Sequence, residues 1–167
     1  AATATAWFDW FANLAIAPGR QVELARSAGE KAELFARYTN QRMTCCGKLD
    51  CCVHPLPQDR RFDDEAWRRW PYSLYQQAFL LTEQWWQEAT SSVRGVTRHH
   101  SEVLPFLTRQ WLDIFSPLNF PLTNPLVVQA SVEQRGMNYV KGAENYLEDL
   151  YRLISQAPPA GVEEYKA

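Results

Sequence analysis

The sequence predicts an all-α fold: an irregular helical domain of about five to seven helices. Three observations lead there. Apolar residues recur every three or four positions over long stretches, and those stretches are separated by Pro and Gly. No stretch shows the period-two alternation of a convincing strand, and no internal repeat is present. With 167 residues, 46% of them hydrophobic, the chain is long enough for one domain with its own core.

Taken in order, Trp7, Trp10, Phe11 and Leu14 fall at helical spacing and predict a short amphipathic helix that stops at Pro18-Gly19. Leu24, Ala28, Ala32, Phe35 and Tyr38 mark a longer one from Gln21 to about Thr44. Residues 1–44 are therefore read as N-terminal amphipathic helices. Residues 45–62, with Gly47, Pro55 and Pro57 and no apolar period, are read as a Cys- and Pro-rich connector. A helical domain is expected over 63–157 and a polar, linker-like tail over 158–167.

Within that domain, Asp63 and Asp64 can cap a helix whose Trp67, Trp70, Leu74, Ala78, Leu81 and Trp85 form one stripe. Tyr72, Tyr75, Phe79 and Trp86 form a second, and Pro71 kinks or restarts the helix. Two stripes predict burial on two sides, or burial on one and a partner on the other. After Gly95, a helix follows with Val103, Leu107, Trp111 and Ile114 as its stripe, Leu104 and Phe115 beside them, Pro105 at a bend or start, and Ser116-Pro117 at its close. Thr123 or Asn124 before Pro125 signals a last helical stretch carrying Val140, Ala143, Leu147, Leu150 and Ile154, ended by Pro158-Pro159.

The formal net charge of -2 supplies no basic field for a phosphate backbone, so nucleic acid is not an expected partner. No apolar run approaches the roughly 20 residues that span a bilayer. Nor do the opening residues show the basic and apolar regions of a secretory signal, so a reduced, cytoplasmic setting is expected. Aromatic residues stand out at 13%, with seven Trp, a composition suited to interfaces as well as cores. The interaction candidates are Trp7, Phe8, Trp10, Phe11, Trp67, Trp70, Tyr75, Phe79, Trp85, Trp86, Trp111 and Phe120, with the polar His99, His100, Arg109 and Asn119.

Chemistry-bearing clusters are few. Cys45, Cys46, Cys51, Cys52 and His54 offer soft ligands, but adjacent cysteines point apart, whereas structural zinc sites separate theirs by two to four residues. Free thiols are the expectation, with a metal or redox centre in this loop as the alternative. No Cys or Ser sits in a Gly-x-Ser-x-Gly-type elbow. His99-His100 lies on a polar stretch and reads as solvated or partner-facing, and Asp63, Asp64 and Glu65 suit a helix start. No catalytic residue, cofactor or metal is assigned.

From Pro57 to Asp149 an ordered set of landmarks carries a resemblance. They are Pro57-Gln58-Asp59-Arg60-Arg61-Phe62, Ala66-Trp67, Trp85-Trp86, Gly95-Val96, His99-His100 and Arg109-Gln110, then Ser116-Pro117, Asn119-Phe120, Thr123-Asn124-Pro125 and Gly136-x-Asn138 through Gly142. The pattern resembles the N-terminal region of class I poly(3-hydroxyalkanoate) synthases, the poly-beta-hydroxybutyrate polymerases. It departs from it at Glu65, where Pro is usual, at Leu118, where Ser is common, and at Leu126, where Glu often follows.

The resemblance implies an acyltransferase that polymerises 3-hydroxyacyl groups from coenzyme A thioesters into polyester with release of coenzyme A. The Cys, Asp and His that do so belong to an α/β-hydrolase domain absent from this chain, so none of its four cysteines is the nucleophile. The implied role here is non-catalytic: support of the catalytic domain, dimerisation, and association with the polyester granule and its coat proteins in the bacterial cytoplasm. The helix bearing Trp7, Phe8, Trp10 and Phe11 is expected to lie on the polymer and the Trp67–Trp86 helix to dock on the catalytic domain. A stand-alone granule-binding or regulatory protein is the alternative.

Overall fold

The computed structural model describes residues 2–44, 52–56, 59–158 and 160. Among them regular structure is entirely helical: α1 (Ala2–Ala15), α2 (Pro18–Thr44), α3 (Tyr72–Thr90), α4 (Arg98–Ile114), α5 (Pro125–Glu133) and α6 (Met137–Ile154), with short 3-10 turns at Glu65–Arg68 and Pro117–Asn119. The all-α expectation holds. Contacts group the chain into two units, Ala1–Asn124 and Pro125–Ala167. The helices of 1–44 thus belong to the same unit as α3 and α4.

In the first unit α3 is the central helix, packed against α2 and against α4, while α1 lies on α4 and α2. This is why α3 carries two apolar stripes. On one side Ala89 joins Ala6, Trp10, Leu24, Val93 and Leu104, with Trp7, Trp85 and Trp86 packed around them. Towards its other end Phe79, Leu80 and Leu81 meet Val53, Phe62 and Trp67. Trp67 is fully buried, with the ring of Phe62 edge-on at 4.9 Å. Burying some 200 Å² of indole contributes about 5 kcal/mol before conformational entropy is charged against it.

Proline and capping chemistry set the element ends. Pro18 opens α2 rather than only closing α1, because the first helical position needs no N–H. Gln21 turns back to donate to the carbonyls of Leu14 and Ala15, two orphan acceptors at the end of α1. Asp64 caps the first 3-10 turn by accepting from the Ala66 N–H at 2.8 Å, and Trp70-Pro71 separates that turn from α3. Trp67 therefore belongs to the turn rather than to the long helix. At the far end of α3, the Arg20 guanidinium donates to the carbonyls of Glu88 and Ser91, while Lys31 pairs with the Glu88 carboxylate at 2.7 Å.

α4 differs from the expectation in its orientation. Pro105 lies inside it, and the residues turned to the core are Leu104 and Thr108, with Leu112 packed behind them. Of the predicted stripe, Val103 and Leu107 are half-buried, whereas Trp111 and Ile114 are exposed, with more than half of each side chain accessible. Counting apolar residues picks the wrong side here: Thr108 is compatible with burial because its hydroxyl donates to the Leu104 carbonyl at 2.8 Å.

One side chain grips the connector at Cys52 and Val53. Gln77 of α3, fully buried, donates to the Val53 carbonyl at 2.9 Å and accepts from the Val53 N–H at 2.8 Å and the Cys52 thiol at 2.9 Å. An amide here substitutes for a strand partner and satisfies both backbone groups of Val53. Cys45, Cys46 and Cys51 lie outside the described residues.

In the second unit the single expected stretch is two helices. α5 ends where Arg135 and Gly136 adopt positive φ, with the Gly136 N–H reaching back to the Ser131 carbonyl at 2.8 Å, the 6→1 bond of a Schellman end. Asn138 then donates to the Ser131 hydroxyl at 2.8 Å and ties the start of α6 to α5. No residue of α6 is buried, and its expected stripe of Val140, Leu147, Leu150 and Ile154 faces outward.

Candidate functional site: an ion-clamped cavity and an exposed aromatic surface

The charged centre of the first unit is Arg61, just before Phe62. Its guanidinium donates to Asp59 at 2.7 Å, to both oxygens of Glu83 at 3.1 and 3.2 Å, and to Asp113. One cation thus gathers carboxylates from the connector, α3 and α4. Charge-assisted bonds from Arg61 hold the Asp59 carboxyl below its usual range against the opposing cost of desolvation, and the same pairing with Asp59 raises the Arg61 pKa. The guanidinium also lies over the rings of Phe62 and Phe79, at 5.7 and 5.2 Å from their centroids.

Beside this clamp is a cavity of about 350 Å³, at the small end of ligand-site volumes. The connector forms one wall with His54, Pro55 and Leu56, α3 contributes Leu80, Glu83, Gln84 and Gln87, and α4 contributes Phe106, Arg109 and Leu112. Gln77 sets the path of the first wall through its grip on Val53. Arg109 approaches Glu83 only to 4.0 Å, while Arg61 donates to both oxygens of that carboxylate.

A second polar locus joins α1 to α4. Asp9 Oδ2 lies 2.6 Å from His100 Nδ1 and accepts from the N–H and hydroxyl of Thr97, the residue before α4. Its other oxygen accepts from Asn13 at 2.9 Å. These bonds, the His100 contact first, keep the Asp9 carboxyl below its ordinary value, and the negative charge suits a helix start. Gly95 allows the close approach: with φ at +92°, a Cβ there would sit 2.1 Å from the Asn13 side-chain oxygen.

The sequence-derived interaction candidates divide accordingly. Trp10, Trp67 and Phe79 are core residues, and Trp10 donates its indole N–H to the Ala89 carbonyl at 2.8 Å. Trp7, Trp85 and Trp86 are half-buried around the same cluster, with the Trp85 indole bonded to the Leu24 carbonyl at 3.0 Å. The α1 helix therefore cannot present all four of its aromatic residues outward: Phe8 and Phe11 are exposed, while Trp7 and Trp10 face α3 and α4. Trp70, Tyr75, Trp111 and Phe120 are exposed. His99 is exposed, but His100 is engaged by Asp9. Arg109 reaches the cavity, and Asn119 caps the end of α4 by donating to the Asp113 carbonyl at 2.6 Å.

Asp9, Gln77 and Glu83 are structural keys that sequence reading passed over, because each acts on a residue more than twenty positions away. The only local signal was Asp59-x-Arg61, a short-range pair in a turn. Among the described residues, no group of three or more His, Cys, Asp or Glu could hold a metal ion, and no helix is long and apolar enough to cross a membrane.

The fold and site define a helical module with an ion cluster centred on Arg61 and with exposed apolar residues on α1, α4 and α6 among other places. Residues 58–165 match the family described as the Poly-beta-hydroxybutyrate polymerase (PhaC) N-terminus, more than half of the chain. The chain belongs to that family. It is 34% identical over 99 residues to a poly(3-hydroxyalkanoate) polymerase of Methylorubrum extorquens, covering 59% of this chain and 16% of that protein. It is also 33% identical over 93 residues to the polymerase subunit PhaC of Rhizobium meliloti, covering 55% and 15%, and 34% identical over 107 residues to that of Cupriavidus necator, covering 63% and 18%. The chain thus matches less than a fifth of the length of these relatives. No solved structure matches it.

Proposed function

We propose that the chain is a non-catalytic N-terminal domain of a polyester synthase that polymerises 3-hydroxyacyl-CoA, and that it supports the catalytic domain, dimerisation and association with the polymer granule. The observation that carries this reading is the match of residues 58–165 to the N-terminal region of the polymerase family. Two surfaces support it. The outward stripe of α6 is an apolar helix face without a core residue, suited to docking on a catalytic domain. Phe8 and Phe11 on α1 are the apolar contacts suited to a granule surface in the bacterial cytoplasm.

The test has two arms. The purified chain, incubated with 3-hydroxybutyryl-CoA, should release no thiol. Added in trans to a relative's polymerase lacking the corresponding region, it should restore polymer synthesis and sediment with the granules. Thiol release by the chain alone, or a truncated polymerase unaffected by its addition, overturns the reading.

A further inference from the structure

We propose that the cavity between the connector, α3 and α4 binds a short stretch of neutral polyester, a 3-hydroxyalkanoate oligomer, a role that rests on reading the chain as part of a polyester synthase. The hydrogen-bonding inventory of the lining selects the ligand. The side chains of Gln84, Gln87 and His54 make no hydrogen bond to another described residue, and Arg109 lies 4.0 Å from Glu83 and acts on Asp59 through charge alone. They therefore bring unused donors to the cavity. An aliphatic ester offers carbonyl acceptors and no donor at all, so its carbonyls can be satisfied by these amides and by the guanidinium.

Charge weighs against the alternatives. Asp59 and Glu83 of the lining, with Asp113 of the same clamp, set three carboxylates against the two guanidiniums of Arg61 and Arg109, a balance that stays negative. That balance disfavours a coenzyme A polyphosphate and a free hydroxy acid, both anionic, and leaves a neutral chain unpenalised. Pro55, Leu80, Phe106 and Leu112 give the alkyl branches of such a chain an apolar wall. Phe106 is 63% exposed, so it forms the rim rather than the core. The cavity size suits a few repeat units rather than a bulk surface. The chemistry thus differs from granule adhesion: one chain is held by its carbonyls.

The experiment is an NMR titration of the isotope-labelled chain with the methyl ester of a 3-hydroxybutyrate trimer, following the side-chain amide signals of Gln84 and Gln87. Saturable shifts are expected, with affinity weakened about tenfold by Phe106→Ala and by Gln87→Leu while the melting temperature stays unchanged. The trimer with a free carboxylate and acetyl-CoA are expected to bind at least about tenfold more weakly. Absence of saturation, equal affinity for the anionic probes, or indifference to both variants overturns the proposal. If the ester fails to bind while the chain still restores a truncated polymerase, the cavity assignment falls and the supporting role stands. If the ester binds but restoration fails, the reverse holds.

Discussion

His100 Nδ1 and Asp9 Oδ2, from residues 91 positions apart in the chain, lie 2.6 Å from one another and join α4 to α1. The same carboxylate accepts from Thr97 at the start of α4, so one acidic side chain fixes the first helix to the fourth. Its depressed pKa has a definite sign for stability. A carboxyl whose folded pKa lies below its unfolded value of 3.8 contributes stability that is fully present above that value and is lost as pH falls through the lower, folded one. Melting temperatures of the chain and of Asp9→Asn, measured from neutral pH downward, should differ at neutral pH and converge below the ordinary carboxylate range. A gap that stays constant with pH would rule this out.

Arg61→Met leaves the carboxylates of Asp59, Glu83 and Asp113 without their shared cation. A loss of about 2 kcal/mol at neutral pH is expected from urea unfolding, the scale of charge-assisted bonds in a partly accessible site. Asp59 also has its pKa lowered chiefly by Arg61, so this loss should shrink as pH drops below the carboxylate range.

Gln77→Leu keeps the volume of a fully buried side chain but removes both bonds to the Val53 backbone. The cost expected is about 1–3 kcal/mol per stranded group. Hydrogen exchange should show the Val53 amide losing its protection while amides in the middle of α4 keep theirs.

Trp67→Ala empties the space beside Phe62 and is expected to cost about 3–5 kcal/mol by chemical denaturation. Trp111→Ala, on the exposed face of α4, should stay within about 0.5 kcal/mol of the parent. Equal losses for the two tryptophans would contradict the division between core and surface.

Leu150→Ser with Ile154→Ser changes the outward stripe of α6, where nothing is buried. Each should alter stability by no more than about 0.5 kcal/mol, while co-purification with a relative's polymerase lacking this region should fall sharply.

Helix positions were legible because the 3.6-residue period survives in every helix of the first unit, and because Pro18, Ser116-Pro117 and Pro125 punctuate the chain where elements change. Which face of a helix meets a neighbour was less legible. α4 buries Thr108 and leaves Trp111 exposed, since a hydroxyl bonded within its own helix packs as readily as an apolar group. The break between α5 and α6 rests on positive φ at Arg135 and Gly136, and only the glycine announces such a conformation. The cavity could not be read at all: its donors come from three segments, and only the fold brings Gln84, Arg109 and His54 to one place.

The hairpin of α1 and α2 precedes the family match at residue 58, yet its Trp10 bonds to Ala89, and its Leu24 carbonyl accepts from Trp85. The recognisable family segment and the folding unit therefore have different edges. A chimera that exchanges N-terminal regions between polymerases at the family boundary would strip α3 of the helices that cover its indoles; a junction that carries the hairpin along would transplant an intact core.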